Sequence, residues 1–379
     1  MSKAPKVTKP VAAPFALGHA SGADWRKASR AATKQLGELP AGANLGFVYV
    51  TQEAGADLGA IVQNLKVETG IEHWVGAAGI GICATGREYF REPAVAVLAG
   101  TIPEGQFRVV DTAADTVLDW HKLKPSADPC FGIVHGDPGG AEILRLLPAF
   151  AAATDGFLVG GLTAPEIDKA QVAGKLTGGG LSGVLFAPEV AVATGLSQGC
   201  RPLGPTRRIT ECQRNVAIKI DNRPALDVFF EDIGPELAAN LRRAAGRIFA
   251  GVPVEGSDKG DYMVRNITGI DPQRKLIGIG DMLEQGQSIL FCERSAETAR
   301  EDLADMLAGL KKRIGKARPR GAVYCSCVAR GPHLFGAKDV ELGMIAEALG
   351  DVPLVGFFGS GEISHNRLYT QTGVLSLFL

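Results

Sequence analysis

Cysteine is scarce in this 379-residue chain: seven, an odd number, set far apart. That excludes the disulfide framework of a small secreted domain and reads as reduced thiols in a cytosolic protein. No run approaches the ~20 apolar residues that a bilayer-spanning helix needs, so no membrane insertion is expected. The first 14 residues carry Lys, Ala and Pro but no apolar signal core, and read as a flexible arm. Neither charge dominates, since 40 basic side chains face 41 acidic ones. Such a balance argues against a protein dedicated to nucleic acid or to a membrane surface. What the chain has in quantity is apolar: 46% of its residues, enough for a large core. At ~100–200 residues per domain, its length suits two or three domains.

Chemistry-bearing motifs are missing too. Gly79-Ile80-Gly81 is followed by strand-like residues where a dinucleotide loop needs a helix, and the third glycine is absent. Gly174-Lys175 and Gly315-Lys316 lack the Ser or Thr that completes a phosphate loop. Gly359-Ser360-Gly361 is too short for a Gly-x-Ser-x-Gly elbow. No kinase catalytic loop occurs, and no close carboxylate pair divides into acid and base. No enzyme is expected.

What is present is repetition. Residues 45–50, 131–135 and 322–328 read as strands, each followed by an apolar quartet at i, i+3, i+4, i+7. The quartets are Leu58, Ile61, Val62, Leu65; Ile143, Leu146, Leu147, Phe150; and Leu342, Ile345, Ala346, Leu349. That spacing predicts helices lying on a sheet. Strands follow at 73–82 and 94–98, at 156–162, 182–186 and 190–194, and at 353–358 and 374–378. Each unit carries Val-Gly after its helix: Val75-Gly76, Val159-Gly160 and Val355-Gly356. The chain therefore reads as three divergent β-α-β-β units. A glycine inside a strand marks close approach of backbone or ligand, or tight helix packing. Residues 199–320 differ: hairpin material at 208–220, a helix at 235–249, strands at 262–270, 276–279 and 288–293, then a long helix lined by Ala299, Leu303, Met306, Leu307 and Leu310. Gly204-Pro205 and Arg318-Pro319-Arg320 are breaks. The expected fold is α/β, with an α+β tendency, mixed sheets covered by helices, and two domains: an arm at 1–14, then 15–199 and 200–379.

The C-terminal stretch is the most specific. Cys325-Ser326-Cys327-Val328-Ala329-Arg330-Gly331, Leu334-Phe335-Gly336, Glu341 and Val352-Pro353-Leu354-Val355-Gly356-Phe357-Phe358-Gly359-Ser360-Gly361-Glu362-Ile363 resemble the end of the FIST (F-box and intracellular signal transduction) family. Gln198-Gly199-Cys200-Arg201-Pro202-Leu203-Gly204-Pro205 looks like that family's junction between its two parts. Ile209-Thr210, Asn215, Arg223-Pro224-Ala225-Leu226 and Tyr262-Met263-Val264-Arg265-Asn266-Ile267 look like the opening of its second part. The resemblance runs from about Phe15 to the end. It implies a cytoplasmic sensory protein that binds a small molecule, such as an amino acid or related metabolite. It also implies a signalling partner, a histidine kinase or a cyclic-dinucleotide enzyme, on which the sensor acts in trans because no effector sequence is left over. Some stand-alone members are described as haem-binding nitric-oxide sensors, which makes haem the alternative to no cofactor. A ligand-independent adaptor is a further alternative, with residues 311–320 as a basic docking stretch or simply a solvated helix end.

The candidate site is built on Arg330 and Glu362, each following a C-terminal strand. If those strands are neighbours, a guanidinium and a carboxylate meet at one sheet end, where α/β sheets bind ligands. Together they would clamp an amino acid's two charges, with Phe357 or Phe358 as an apolar wall and Cys327 and Gly359 beside them. The plain alternative is that the two charges pair with each other. Arg265 is a second candidate, although Asp271 beside it opens an ordinary turn. For haem, His135, His333 and His365 are the candidate ligands. Cys325 and Cys327 with a histidine could hold a metal, but two small side chains in a buried strand is the simpler reading.

Overall fold

The computed structural model describes residues 13–113, 117–139, 142–240, 246–254 and 261–379. Most of the expected arm lies outside the described residues.

The three repeats are there, and each is longer than its sequence pattern suggests. In each, a first strand pairs in parallel with the strand after the helix: Leu45–Thr51 with His73–Gly79, Cys130–Gly136 with Gly156–Leu162, and Gly321–Cys327 with Leu354–Gly359. A third strand lies antiparallel on the other side of the first: Ala94–Gly100, Leu181–Phe186 and Gly373–Phe378. A leading strand then edges each sheet: Ala16–Ser21, Phe107–Asp111 and Val192–Ser197. The expected strand at 190–194 is thus the start of the third repeat, not the end of the second.

Each sheet is completed from elsewhere. Between its second and third strands every repeat sends out a hairpin, and each hairpin joins a sheet built by another repeat. Gly81–Ala84 and Arg87–Phe90 add to the third repeat's sheet, Gln171–Ala173 and Leu176–Thr177 to the first, and Glu362–His365 and Arg367–Tyr369 to the second. The expected strand at 73–82 therefore breaks at Ile80, whose N–H already bonds Phe358 of the next sheet at 2.9 Å. Three six-stranded sheets result. Their inner faces meet in one core containing Phe47, Tyr49, Val75, Ile133, Val159, Phe186, Val323, Val355, Phe357 and Phe378. Strand alternation sends every other residue outward, where the helices Leu58–Thr69, Ile143–Thr154 and Val340–Leu349 bury the predicted quartets, apart from the half-buried Leu146, Ala346 and Leu349. Each buried Leu, Ile or Val contributes roughly 1.5–3 kcal/mol.

The Val-Gly glycines answer to backbone. A β-carbon on Gly76, Gly160 or Gly356 would stand 1.7–1.8 Å from the carbonyl oxygen of the paired residue on the first strand, Val48, Val134 or Tyr324. Gly160 also has φ +145°, closed to other L-residues.

The differing region is an insertion in the third repeat. The chain leaves the leading strand at Ser197 and returns at the helix Ala296–Ile314, which is capped by Ser295 and carries Lys311, Lys312 and Arg313 in its last turn. Between them, six strands close a ring: Ser288–Glu293, Arg207–Gln213, Val216–Ile220, Leu276–Ile279, Tyr262–Asp271 and Ile248–Pro253, which pairs back with Ser288–Glu293. Of the helix expected at 235–249, residues 235–238 end the helix Ala225–Ala238, which breaks at Gly234 (φ 78°) before Pro235, and residues 241–245 lie outside the described residues. Leu226, Phe229 and Ile233 of that helix fill the barrel core. Residues 248–249, expected to be helical, open a barrel strand.

Gly160→Ala should lose at least about 3 kcal/mol of stability or fail to fold. Gly343→Ala, in a helix with open space around its α-carbon, should gain about 0.5–1 kcal/mol. Urea unfolding of both variants checks the contrast.

Candidate functional site

The strand that precedes Arg330 and the strand that bears Phe357 are indeed neighbours, with Cys327 opposite Gly359. Even so, the expected Arg330–Glu362 clamp does not form. After Gly359 the chain turns into the second repeat's sheet, and Glu362 pairs with Gly161 there. Arg330 is fully buried and bonds Glu341 instead, Nε to Oε1 at 2.7 Å. Its Nη2 donates to the Ser197 hydroxyl at 3.1 Å. Glu341 also accepts from Tyr324 at 2.6 Å, from the Ser326 hydroxyl at 3.4 Å and from the Gly331 N–H at 3.2 Å. Burial works against the Arg330 charge, but the Glu341 carboxylate outweighs it and raises the guanidinium pKa. A buried pair so fully bonded leaves no fork for a guest.

Glu362 is buried and accepts from the Thr372 N–H at 3.0 Å and hydroxyl at 2.9 Å, while its Oε1 has no hydrogen-bond partner. Burial pushes its carboxyl up to about 8, against the pull of those Thr372 bonds. Neighbouring Cys327 is pushed by burial up to about 12. Phe357 and Phe358 are core, not cavity wall. Phe357 stacks on Tyr49 at 5.3 Å in the central core, and Phe358 faces outward against Phe90 at 4.6 Å. A β-carbon on Gly359 would meet the Leu162 carbonyl oxygen at 2.2 Å, so this glycine serves sheet packing. Arg265 sits on the barrel, paired with Asp281 at 2.6 Å, and Asp271 caps its own turn at 3.0 Å.

The histidines separate in the same way. His135 is buried in the central core, bonded to the Tyr49 hydroxyl at 3.0 Å and flanked by the Tyr49 and Phe357 rings. Burial pushes it down to about 3, so it is neutral. His333 is exposed on the short helix Gly331–Phe335. His365 is the exception, because it reaches a cavity.

That cavity is a cleft of about 810 Å³ between the three-sheet body and the barrel. The helix Ala296–Ile314 buries Ala299, Leu303, Leu307 and Leu310 against the sheet. The adjacent face carries Asp302, Asp305, Gly309 and Arg313, at i, i+3, i+7 and i+11, and lines the cleft. Opposite stands the tip of the exchanged hairpin, Ser364, His365, Asn366 and Arg367. Val254 and Asp261 of the barrel and Gln198 of the connecting segment complete the walls. His365 has φ 59° at the first position of a two-residue turn, where glycine is the usual occupant. Such strain collects at functional sites. Its ring stacks on the partly exposed Phe157 at 5.4 Å. Asp302 is fixed by the Ser197 hydroxyl at 2.6 Å and the Gly199 N–H at 2.8 Å, and Arg313 donates to the Thr194 carbonyl.

These residues do not fit a haem. His135 is fully buried with its Nε2 at 3.0 Å from the Tyr49 hydroxyl, and the His365 cleft carries Asp261, Asp302, Asp305, Arg313 and Arg367 beside Phe157, Leu196 and Met306, where a porphyrin needs apolar faces. Among the described residues, no three His, Cys, Asp or Glu side chains converge as metal ligands, and no helix is long and apolar enough to cross a membrane. Of the cleft, sequence analysis picked out only His365. The polar stripe of the long helix was visible as periodicity, but nothing local says what a stripe faces.

Two family models match this chain: the FIST N domain over residues 44–223 and the FIST C domain over 225–365. Uncharacterized protein Rv0628c of Mycobacterium tuberculosis is 27% identical, over 96% of this chain and 99% of that one. Uncharacterized protein Mb0898c of Mycobacterium bovis is 30% identical over 48% of this chain and 50% of its own length.

Two outcomes follow from the buried charges. Arg330→Ala, which strands Glu341, should cost about 3–5 kcal/mol in urea unfolding. Glu362 has the opposite bearing on pH. Above about pH 6.5 the unfolded chain has already released this proton, while the folded protein keeps it to about 8. The folded state therefore holds more protons, and stability falls as pH rises from about 6.5 to about 8. Glu88, which burial pushes up to about 7, acts in the same direction. Glu362→Gln should flatten the slope in part, and an unchanged slope would refute the assignment.

Proposed function

The chain belongs to the FIST family, and from that premise we propose that it is a non-catalytic sensory protein that binds a small zwitterion, an amino acid or related metabolite, in the cleft between body and barrel. FIST domains are associated with sensing in signal transduction. The observation that carries the reading is the cleft itself, walled by both bodies and by both charges. Arg367 and Arg313 suit a carboxylate, and Asp305 and Asp302 suit an ammonium. A guest that touches both walls favours one orientation of the barrel over others, and so shifts a population that a partner can read. That partner is a histidine kinase or a cyclic-dinucleotide enzyme in the cytoplasm.

Thermal unfolding in the presence of each amino acid tests this. A ligand at 100 times its Kd should stabilise the protein by about 2.7 kcal/mol. Arg367→Ala and Asp305→Ala, both at the cleft, should remove the shift. Lys66→Ala, remote on an exposed ion pair, should keep it. No shift with any amino acid, or a shift that survives both cleft variants, overturns the reading.

A further inference from the structure

Two cysteines stand where the chain crosses between body and barrel. Cys200 lies three residues beyond the leading strand Val192–Ser197, directly after Gly199, whose φ of 68° turns the chain. Cys292 lies in the barrel strand Ser288–Glu293, just before the chain returns to the body through the helix Ala296–Ile314. Arg201–Pro202 pairs with this strand, Pro202 opposite Cys292 and Arg201 opposite Glu293. Alternation along the strand puts residues 200 and 202 on one side, so Cys200 and Cys292 are diagonal neighbours on one face. Both belong to one small buried cluster with Phe249, Tyr262, Val264 and Leu290, and the Cys292 sulfhydryl donates to the Phe249 carbonyl at 3.7 Å. Cys200 keeps 5% of its surface exposed, Cys292 none.

We propose that Cys200 and Cys292 are a redox site, closing to a reversible disulfide under a peroxide and thereby stapling together the two segments that join barrel to body. The Cys200 thiolate attacks one peroxide oxygen, the O–O bond breaks, and hydroxide leaves. The Cys292 sulfur then attacks the resulting sulfenic acid. The S–S bond forms as the S–O bond breaks, and the Cys292 proton departs with the oxygen. Two thiols lose two electrons and two protons, and the peroxide is reduced to two waters. A dithiol reverses the reaction by exchange.

The surroundings suit these roles. The neighbouring Cys292, then the guanidinium groups of Arg294 and Arg330, lower the Cys200 pKa against burial and the Asp302 charge, and favour its thiolate. The neighbouring Cys200 and burial raise that of Cys292 and keep it protonated, and the first of these causes ends once Cys200 is oxidised. Arg294 also fastens the return segment to the body, donating to the Gln371 side chain and to the Ala329 carbonyl at 3.1 Å. The outgoing segment holds Gln198, which donates to the Tyr262 carbonyl of the barrel, and Gly199, which holds Asp302 at 2.8 Å. Gln198 of the outgoing segment and the helix that follows the return segment both line the cleft, so a covalent bond between the two segments restricts how the barrel moves over it.

The test uses the reduced full chain and hydrogen peroxide, with free thiols then alkylated and the digest mapped by mass spectrometry. The expected product is a Cys200–Cys292 peptide pair, reversed by dithiothreitol. Cys292→Ser should abolish it and leave a dimedone-trappable sulfenic acid on Cys200. Cys212→Ser, at a partly exposed barrel thiol, should leave the bond intact. A map in which Cys200 and Cys292 stay free while Cys212 oxidises, or in which either joins another cysteine, overturns the proposal. The wild-type map decides this even if a serine variant misfolds. No guest for the cleft is present in the assay, so its failure would leave the ligand reading untouched.

Discussion

The backbone hydrogen bonds that three hairpins make to sheets other than their own hold the body together. Gln171 pairs with Ala77, Glu362 with Gly161, and Gly81 with Phe358. Without them each sheet would end on a bare edge at its second strand, with unpaired N–H and C=O groups, and Ile82 and Ala84 would leave the central core. No repeat can therefore fold to its final form alone. The first needs the second's hairpin, the second needs the third's, and the third needs the first's. Closing such a cycle brings together residues far apart in sequence, which makes loop closure costly and folding slow compared with a helical protein of similar stability.

The same cycle explains the cleft. The hairpin tip around His365 lies on the second repeat's sheet, yet it is covalently part of the third, whose long helix forms the facing wall. The barrel inserts between the leading strand and that helix, so it hangs over the opening on two short connections. The Ser197 hydroxyl links the Arg330–Glu341 pair to Asp302 at the cleft wall through bonds of 3.1 and 2.6 Å. What looks in sequence like a ligand clamp is instead the bracket that holds the barrel's outgoing connection. Its full burial makes it specific in geometry whatever its net contribution to stability.

Much of this was legible beforehand. The three helical quartets, the Val-Gly glycines and the strands beside them are local patterns, set by the 3.6 and 2.0 periods and by the space a β-carbon needs. The helix start expected at 235 fails for an equally local reason, since Gly234 breaks the helix before Pro235 and conceals its start at Ala225. The Arg330 motif was legible as a motif, but its partner was not. Glu341 and Glu362 are both downstream acids, and only the turn of the chain into another sheet after Gly359 separates them. Of the candidate ligand residues, His365 alone reaches the cleft.

The sequence by itself determined the repeat helices with the strands beside them, the threefold repetition, the approximate place of the insertion and the family. All of these depend on neighbours within about twenty residues, where periodicity and backbone sterics act. Tertiary structure alone decided which sheet each hairpin completes, that Arg330 bonds Glu341, and that His365 and Arg367 line one cleft with Asp305 and Arg313. Those outcomes are set by packing one central core from three sheets and by burying charge only where a partner waits. Both are global conditions that no window of the chain contains.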